Sequence, residues 1–211
     1  TAAEIRALGV QCQLFQQDLG HTAELASFIG RVHTAMPHLR VLVNSASAYT
    51  QASILDTTPE IWANQFAVNL TAPVFLTQAF ATQVGAGNVV NIIDNKMGFN
   101  QPQYAAYLLA KKGLAEFTKM ASVELAPAVR VNGVAPGVVL PAGSRTAEYI
   151  AWRVQGIPLQ RQGDPAHIVQ AIRYCLENEF VTGQILVVDG GESLTNTGQN
   201  AATFSGQTDG N

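Results

Sequence analysis

Long apolar runs, clustered charge and cysteine are all scarce in this 211-residue sequence. No stretch reaches the ~20 consecutive apolar residues that a membrane-spanning helix needs, so a soluble, cytoplasmic protein is expected. Charged residues make up only 13%, and 15 acids against 12 Lys and Arg leave a net charge of −3. No Lys/Arg cluster offers an electrostatic footprint for a phosphate backbone, which excludes nucleic acid as the expected partner. The two cysteines, Cys12 and Cys175, have no Cys or His neighbour at ligand spacing and read as small buried apolar residues of a reducing compartment. Neither a disulfide nor a zinc site is expected. His21, His33, His38 and His167 also lack metal-like spacing and read as surface or packing residues, so no metal is assigned.

What the chain has is apolar content, 47%, with 18 Gly and 9 Pro. That composition suits one compact α/β domain. TAAEIRALG at the start reads as the last turns of a helix stopped by Gly9. Val10, Cys12 and Leu14 then alternate with Gln11 and Gln13, the period of a strand with one buried face. A helix is expected from Thr22, a candidate N-cap, to about Met36, then a strand over Leu39–Val43 that ends in Asn44-Ser45-Ala46-Ser47. A long helix follows from Pro59 to Val84. The alternation continues with strand Asn88–Ile93, helix Tyr104–Leu125, strand Val129–Val134, helix Pro165–Glu177 and strand Gln184–Val188. Helices alternating with short apolar strands indicate βαβ units on a doubly wound parallel sheet, a Rossmann-like single domain over residues 1–194. Residues 195–211 are Gly/Asn/Thr/Ser/Gln-rich and are expected to be a disordered tail, because they have too little apolar surface to offset their ordering entropy.

In an open parallel sheet, ligands sit beyond the carboxyl ends of the strands. Asp94 lies just past one such end, in VVNIID. Tyr107 and Lys111 follow, four residues apart on one face of a predicted helix. A phenol with a pKa of about 10 is a poor acid–base group near neutrality, and a nearby ammonium favours its ionised form. Taken alone, such a pair also occurs on many ordinary amphipathic helices, and Asp94 could simply cap the loop that follows it.

Taken together and in order, the motifs resemble the short-chain dehydrogenase/reductases. Asn44-Ser45-Ala46-Ser47 is similar to that family's Asn-Asn-Ala-Gly turn. Asn69 in AVNLTAPV resembles the Asn of its catalytic tetrad, and VRVNGVAPGVV and VTGQILVVDGG resemble its last two strands. The resemblance runs from Asp18 to Gly191. Most members carry Ser where this chain has Asp94; the pteridine reductases, including dihydromonapterin reductase-like members, carry Asp there and an Asn-Ala-Ser turn, and VNIID with NSAS is similar to that subgroup.

The resemblance implies an NADPH-dependent reduction of a dihydropterin- or folate-type C=N bond. Tyr107, linked to Asp94, would supply the proton; Lys111 would lower the Tyr107 pKa and bind the nicotinamide ribose; Asn69 would hold the helix backbone and a relay water. It also implies cofactor contacts from Asp18 and Leu19 at the adenine, from Asn44, Ala46 and Ser47 along the next turn, and from Pro136, Gly137, Val138 and Val139 at the nicotinamide. Each has a plainer reading: Asp18 as a loop acid, Asn44 as a strand terminator, Pro136-Gly137 as a turn. Trp152 falls in the segment that covers substrate in the family. A homodimer or homotetramer through the two long helices is the implied assembly, with a small-molecule substrate as the other partner.

The family's glycine-rich pyrophosphate turn and its first two strands have no counterpart in the sequence, so an N-terminally incomplete domain is expected. The absent strands would sit between the Val10 and Leu39 strands and leave their edges unpaired. A carbonyl reductase acting on a 3-oxoacyl thioester or a sugar, and a catalytically silent nucleotide- or partner-binding relative, are the competing readings.

Overall fold

The computed structural model describes residues 1–140 and 146–195. Four parallel strands, β1 (Val41–Asn44), β2 (Gly87–Ile92), β3 (Val129–Pro136) and β4 (Ile185–Val188), lie side by side in chain order. The connections are helical. They contain α2 (Leu25–Ala35, preceding β1), α3 (Pro59–Phe66), α4 (Ala72–Gln83), α5 (Ala105–Glu124), α6 (Ala147–Val154) and α7 (Pro165–Glu177). The chain opens with α1 (Ala2–Ala7), which Gly9 terminates at φ +80°, the left-handed conformation expected of its position. Among the described residues no helix is long and apolar enough to cross a membrane.

Strand alternation assigns the two faces of the sheet. Val89 packs with Phe80, Ala121, Val129 and Val131 beneath α4 and α5, while Ile93 meets Leu114, Ala115 and Ala135 farther along the same face. Val90 and Val134 point the other way, onto Cys175 of α7. Cys175 is buried as expected, whereas Cys12, for which burial was equally expected, is only partly so. Helix α7 begins with a reciprocal cap: Asp164 Oδ1 accepts from Ala166 N at 2.8 Å, and Asp164 N donates to His167 Nδ1 at 2.9 Å. His167 thus takes the part usually played by Glu or Gln.

Two expectations are corrected. Val10–Leu14 forms no strand; Val10 and Leu14 are exposed, and the segment is tied mainly by the Arg6 guanidinium to the carbonyl of Cys12. Alternation alone does not make a strand, because the backbone needs a ladder partner and none of the described residues supplies one. Nor is the stretch from Pro59 to Val84 one uniform α-helix. Residues 67–71 make a π turn between α3 and α4, with Ala72 N–H reaching back to Ala67 O. Pro73 explains it: proline has no N–H for the carbonyl four residues earlier, that of Asn69, and its ring displaces that carbonyl. Smaller differences are that Thr22 opens a 3₁₀ turn (Thr22–Glu24) rather than capping a helix, and that α6 emerges in a segment with no assigned element. The expected tail spans residues 195–211, of which all but Thr195 lie outside the described residues.

A buried polar chain crosses this core. Asn44 Nδ2 donates to Asn91 Oδ1 at 2.8 Å, Asn91 Nδ2 to Thr118 Oγ1 at 2.9 Å, and Thr118 Oγ1 to Leu114 O at 2.7 Å. It joins β1 to β2 and β2 to α5, and each member would be costly to leave unpaired. Asn91→Ala is therefore expected to destabilise the fold by about 1–3 kcal/mol in urea unfolding. Because the two asparagines share one bond, Asn44→Ala with Asn91→Ala should cost less than the sum of the single changes.

Candidate active site

The carboxyl ends of β1, β2 and β3 share one rim because the strands are parallel. Ser47 follows β1, Asp94 follows β2, and Gly137 follows β3 at once. Tyr107 enters from the first turn of α5, and Lys111 stands one turn further along that helix. Here the cavity has a volume of about 320 Å³, and its wall includes Ser47, Tyr49, Asp94, Lys96, Tyr107 and Arg153.

Asp94 performs two tasks. Its Oδ1 accepts from Lys96 N at 2.8 Å, capping the 3₁₀ turn Asn95–Gly98, and its Oδ2 accepts the Tyr107 hydroxyl proton at 2.6 Å. One oxygen thus caps the loop and the other holds the Tyr107 hydroxyl. Tyr107 is only 4% exposed. Burial pushes its phenol well above the usual value, and the Asp94 carboxylate adds to the rise by its charge and its hydrogen bond; Tyr49 raises it further, while Ser47 opposes.

This corrects the expected role of Lys111 as the group that lowers the Tyr107 pKa. Its ammonium is directed to Ile92 O at 2.8 Å and lies 6.0 Å from the Tyr107 ring centroid, whereas Asp94 is in direct contact. Lys111 is 2% exposed, and burial pulls its own pKa down to about 8 against the opposing pull of Asp94.

Asn69 sits, fully buried, inside the π turn. Its Nδ2 donates to Ala48 O at 2.8 Å and Gln65 O at 3.0 Å, and its Oδ1 accepts from Ser47 Oγ at 3.0 Å. It thereby ties the turn after β1 to the helix path. A π turn inside a helix often marks a functional position.

The remaining expected cofactor residues divide. Ser47, Tyr107, Gly137, Val138 and Val139 share the rim cavity. Leu19, Asn44 and Ala46 instead line a neighbouring hollow of about 450 Å³ beside β1, where Asn44 keeps its side chain on Asn91. Asp18 holds Gly20 N with Oδ1 at 2.8 Å, which is its plainer loop role. Pro136 closes β3, paired with Val188. A larger hollow, about 540 Å³, lies between α7 and β4 and contains neither Asp94 nor Tyr107.

Several site residues went unread in the sequence. Tyr49 stacks on Tyr104 and meets Tyr107 edge-on, each at 4.7 Å between centroids. Asn95 donates to Glu192 Oε2 at 2.9 Å and Asp189 Oδ2 at 3.2 Å, and Glu192 Oε1 is paired with Arg153 Nη1 at 2.6 Å. That buried cluster fastens α6 and the chain after β4 to the turn carrying Asp94. Its members are spread over nearly a hundred residues, so no local spacing could have revealed them.

The rim brings the Tyr107 phenol and the Asp94 carboxylate to one cavity, with the buried Lys111 one helical turn behind the phenol. A family model described as enoyl-(acyl carrier protein) reductase matches residues 1–193. The chain is 33% identical over 205 residues to an uncharacterized oxidoreductase of Mycobacterium tuberculosis, covering 92% of this chain and 78% of that protein. It is 31% identical over 198 residues to the 3-oxoacyl-[acyl-carrier-protein] reductase of Synechocystis, covering 90% and 79%. Among solved structures it is similar to FolM alternative dihydrofolate reductase 1 of Brucella suis in complex with NADP, at 31% identity and a TM-score of 0.87, covering 92% of this chain and 79% of that one. With the model match spanning nearly all of the chain, the protein belongs to the short-chain dehydrogenase/reductase family of oxidoreductases.

Proposed function

We propose that the protein is an NADPH-dependent reductase of a dihydropterin- or dihydrofolate-type C=N bond. The observation that carries this reading is the Asp94–Tyr107 hydrogen bond of 2.6 Å. An ionised carboxylate only accepts hydrogen bonds, so beside a reacting centre it suits a ring rich in N–H donors. A ketone reduced at the same place develops negative charge on its oxygen, which wants donors rather than a carboxylate. The likeness to the NADP complex of an alternative dihydrofolate reductase supports the same substrate class and cofactor. The likeness to a 3-oxoacyl reductase favours the competing carbonyl reading.

The cofactor end of the rim fits a nicotinamide nucleotide. Lys111 has three N–H donors, one of them on Ile92 O, and the others suit ribose hydroxyls. Gly137 has no room for a side chain, since an added Cβ would stand 2.7 Å from Asp189 Cβ, so the backbone itself faces the cavity. NADPH held there would supply the hydride. Tyr107, kept protonated by its raised pKa, gives its proton to the ring nitrogen next to the reduced carbon. In this reading Lys111, whose pKa lies near neutrality, returns a proton to Tyr107. Asn69 keeps Ser47 in contact with the phenol's surroundings, and Asp94 orients the ring.

The assembly we infer is a homodimer or homotetramer through α3, α4 and α5. Leu109, Met120 and Val123 of α5 are exposed, as are Trp62 of α3 and Phe75 of α4, whereas Leu108 and Leu114 are buried within the subunit. Sedimentation should show an oligomer at micromolar concentration that Leu109→Asp converts to monomer; a monomeric parent protein would contradict it.

Asp94→Ser separates the two functions. On a dihydropterin it should cost about 10²- to 10⁴-fold in NADPH oxidation, the typical loss of a positioned acid–base group, with little change in NADPH affinity. If the parent enzyme turns over ketones but not pterins and the Ser variant is at least as active, the pterin reading is wrong. The pH profile supplies an independent check. A reaction that needs the Lys111 ammonium declines as pH rises through about 8, where burial has brought its pKa. Lys111→Met, which has no ammonium to lose or proton to return, should lower the steady-state rate at neutral pH and abolish this alkaline limb in what remains.

A further inference from the structure

Among the described residues, Asp94, Lys96 and Arg153 are the charged side chains lining the rim cavity. Two of them are already answered. Arg153 meets Glu192 at 2.6 Å with both side chains buried, and the oxygens of Asp94 hold Tyr107 and the Lys96 backbone. The Lys96 ammonium joins none of the ion pairs found among the described residues. It is nonetheless fixed: its Nζ donates to Tyr49 Oη at 3.1 Å and stands 5.1 Å from the Tyr104 ring centroid and 5.6 Å from that of Tyr49. Aromatic faces and a phenol oxygen hold a cation without neutralising it. Tyr49 also touches Tyr107 edge-on, so this positive charge stands one tyrosine ring away from the reacting phenol.

We infer that Lys96 is the specificity residue by which the site recognises an acidic substituent on its substrate, and that the enzyme prefers a pterin ring bearing a carboxylate tail, as in dihydrofolate, over the bare ring. This rests on the pterin reading for the identity of the ring, while the charge selection rests on Lys96 alone. A carboxylate reaching Lys96 gains a charge-assisted hydrogen bond from a donor that is already ordered, so little side-chain freedom is lost on binding. A ring with only a hydroxymethyl substituent gains nothing comparable there. The same two tyrosines that fix Lys96 bring flat aromatic surface to the cavity, which suits a planar substrate.

The experiment pairs turnover with binding. NADPH oxidation is measured with dihydrofolate and with 6-hydroxymethyl-dihydropterin, and titration calorimetry in the presence of NADP uses the unreduced probes folate and 6-hydroxymethylpterin. The parent protein is expected to prefer the carboxylated member of each pair, and Lys96→Met to lose about tenfold of that preference, mainly in KM and Kd. Rising salt should erode the parent's preference and leave that of Lys96→Met unmoved. Lys96→Arg, which keeps the charge, should retain most of it; because an Arg would also stack on the two tyrosines, the salt dependence is what separates charge recognition from a purely structural clamp. A preference that survives in Lys96→Met, or a parent protein that binds both probes equally or neither, overturns the inference. If both probes bind with the expected selectivity and neither dihydro form is reduced, the pterin reductase reading falls and the role of Lys96 in binding stands.

Discussion

A carboxylate 2.6 Å from a buried phenol is tenable only where both groups are held still and satisfied on every side, and much of the chain is arranged around that requirement. Asp94 uses its second oxygen on the turn that comes after it, so its orientation does not depend on Tyr107. Tyr107 is seated by the first turn of α5, a helix buried along one side against β2 and β3 through Leu114, Ala115 and Thr118. The pairing is therefore a property of two rigid elements meeting at the strand ends. Its chemical effect is the reverse of simple activation: the phenol is kept in its protonated, uncharged form, and burial also lowers the pKa of the neighbouring ammonium to about 8.

Polar networks frame this pair from three directions. Asn69 links the turn after β1 to the helix path, Asn91 links β1 through β2 to α5, and Asn95 links the Asp94 turn to Asp189, Glu192 and Arg153. All three are buried amides, which can donate and accept at once and so can join backbone, carboxylate and hydroxyl without a net charge. The only fully buried ion pair among the described residues, Arg153 with Glu192, is itself stitched into such a network. An isolated buried pair often gains little over its desolvation cost, but one whose remaining oxygen is satisfied can fix a helix in place.

Much of the fold could be read from periodicity. β2, β3, α5 and α7 fall within a residue or two of their expected bounds, because each buries a complete face and its apolar spacing reports that burial directly. Val10–Leu14 shows the limit of the method: the alternation is genuine, yet ladder pairing is a relation between segments and no single segment encodes it. Pro73 was a local signal for the π turn that apolar spacing on either side concealed. At the site, Asp94, Tyr107, Lys111 and Asn69 were legible because they lie close in sequence or in recognisable motifs. The Lys111–Tyr107 electrostatics were not, since i, i+4 spacing puts two side chains on one face without saying where a flexible ammonium points. Asn95, Arg153 and Glu192 were invisible for the same reason that they matter, their long separation along the chain.

The π turn has a further consequence. It places one more residue between two contact points than an α-helix would, and that surplus aims Asn69 at Ser47 and Ala48. Deleting a single residue from 67–71 would take that surplus away while Pro73 still denied the ladder a donor. The asparagine, or the whole of α3, would then face elsewhere. The segment is locked to its length as firmly as to its composition, and relatives that share this turn should vary here by substitution and never by insertion or loss.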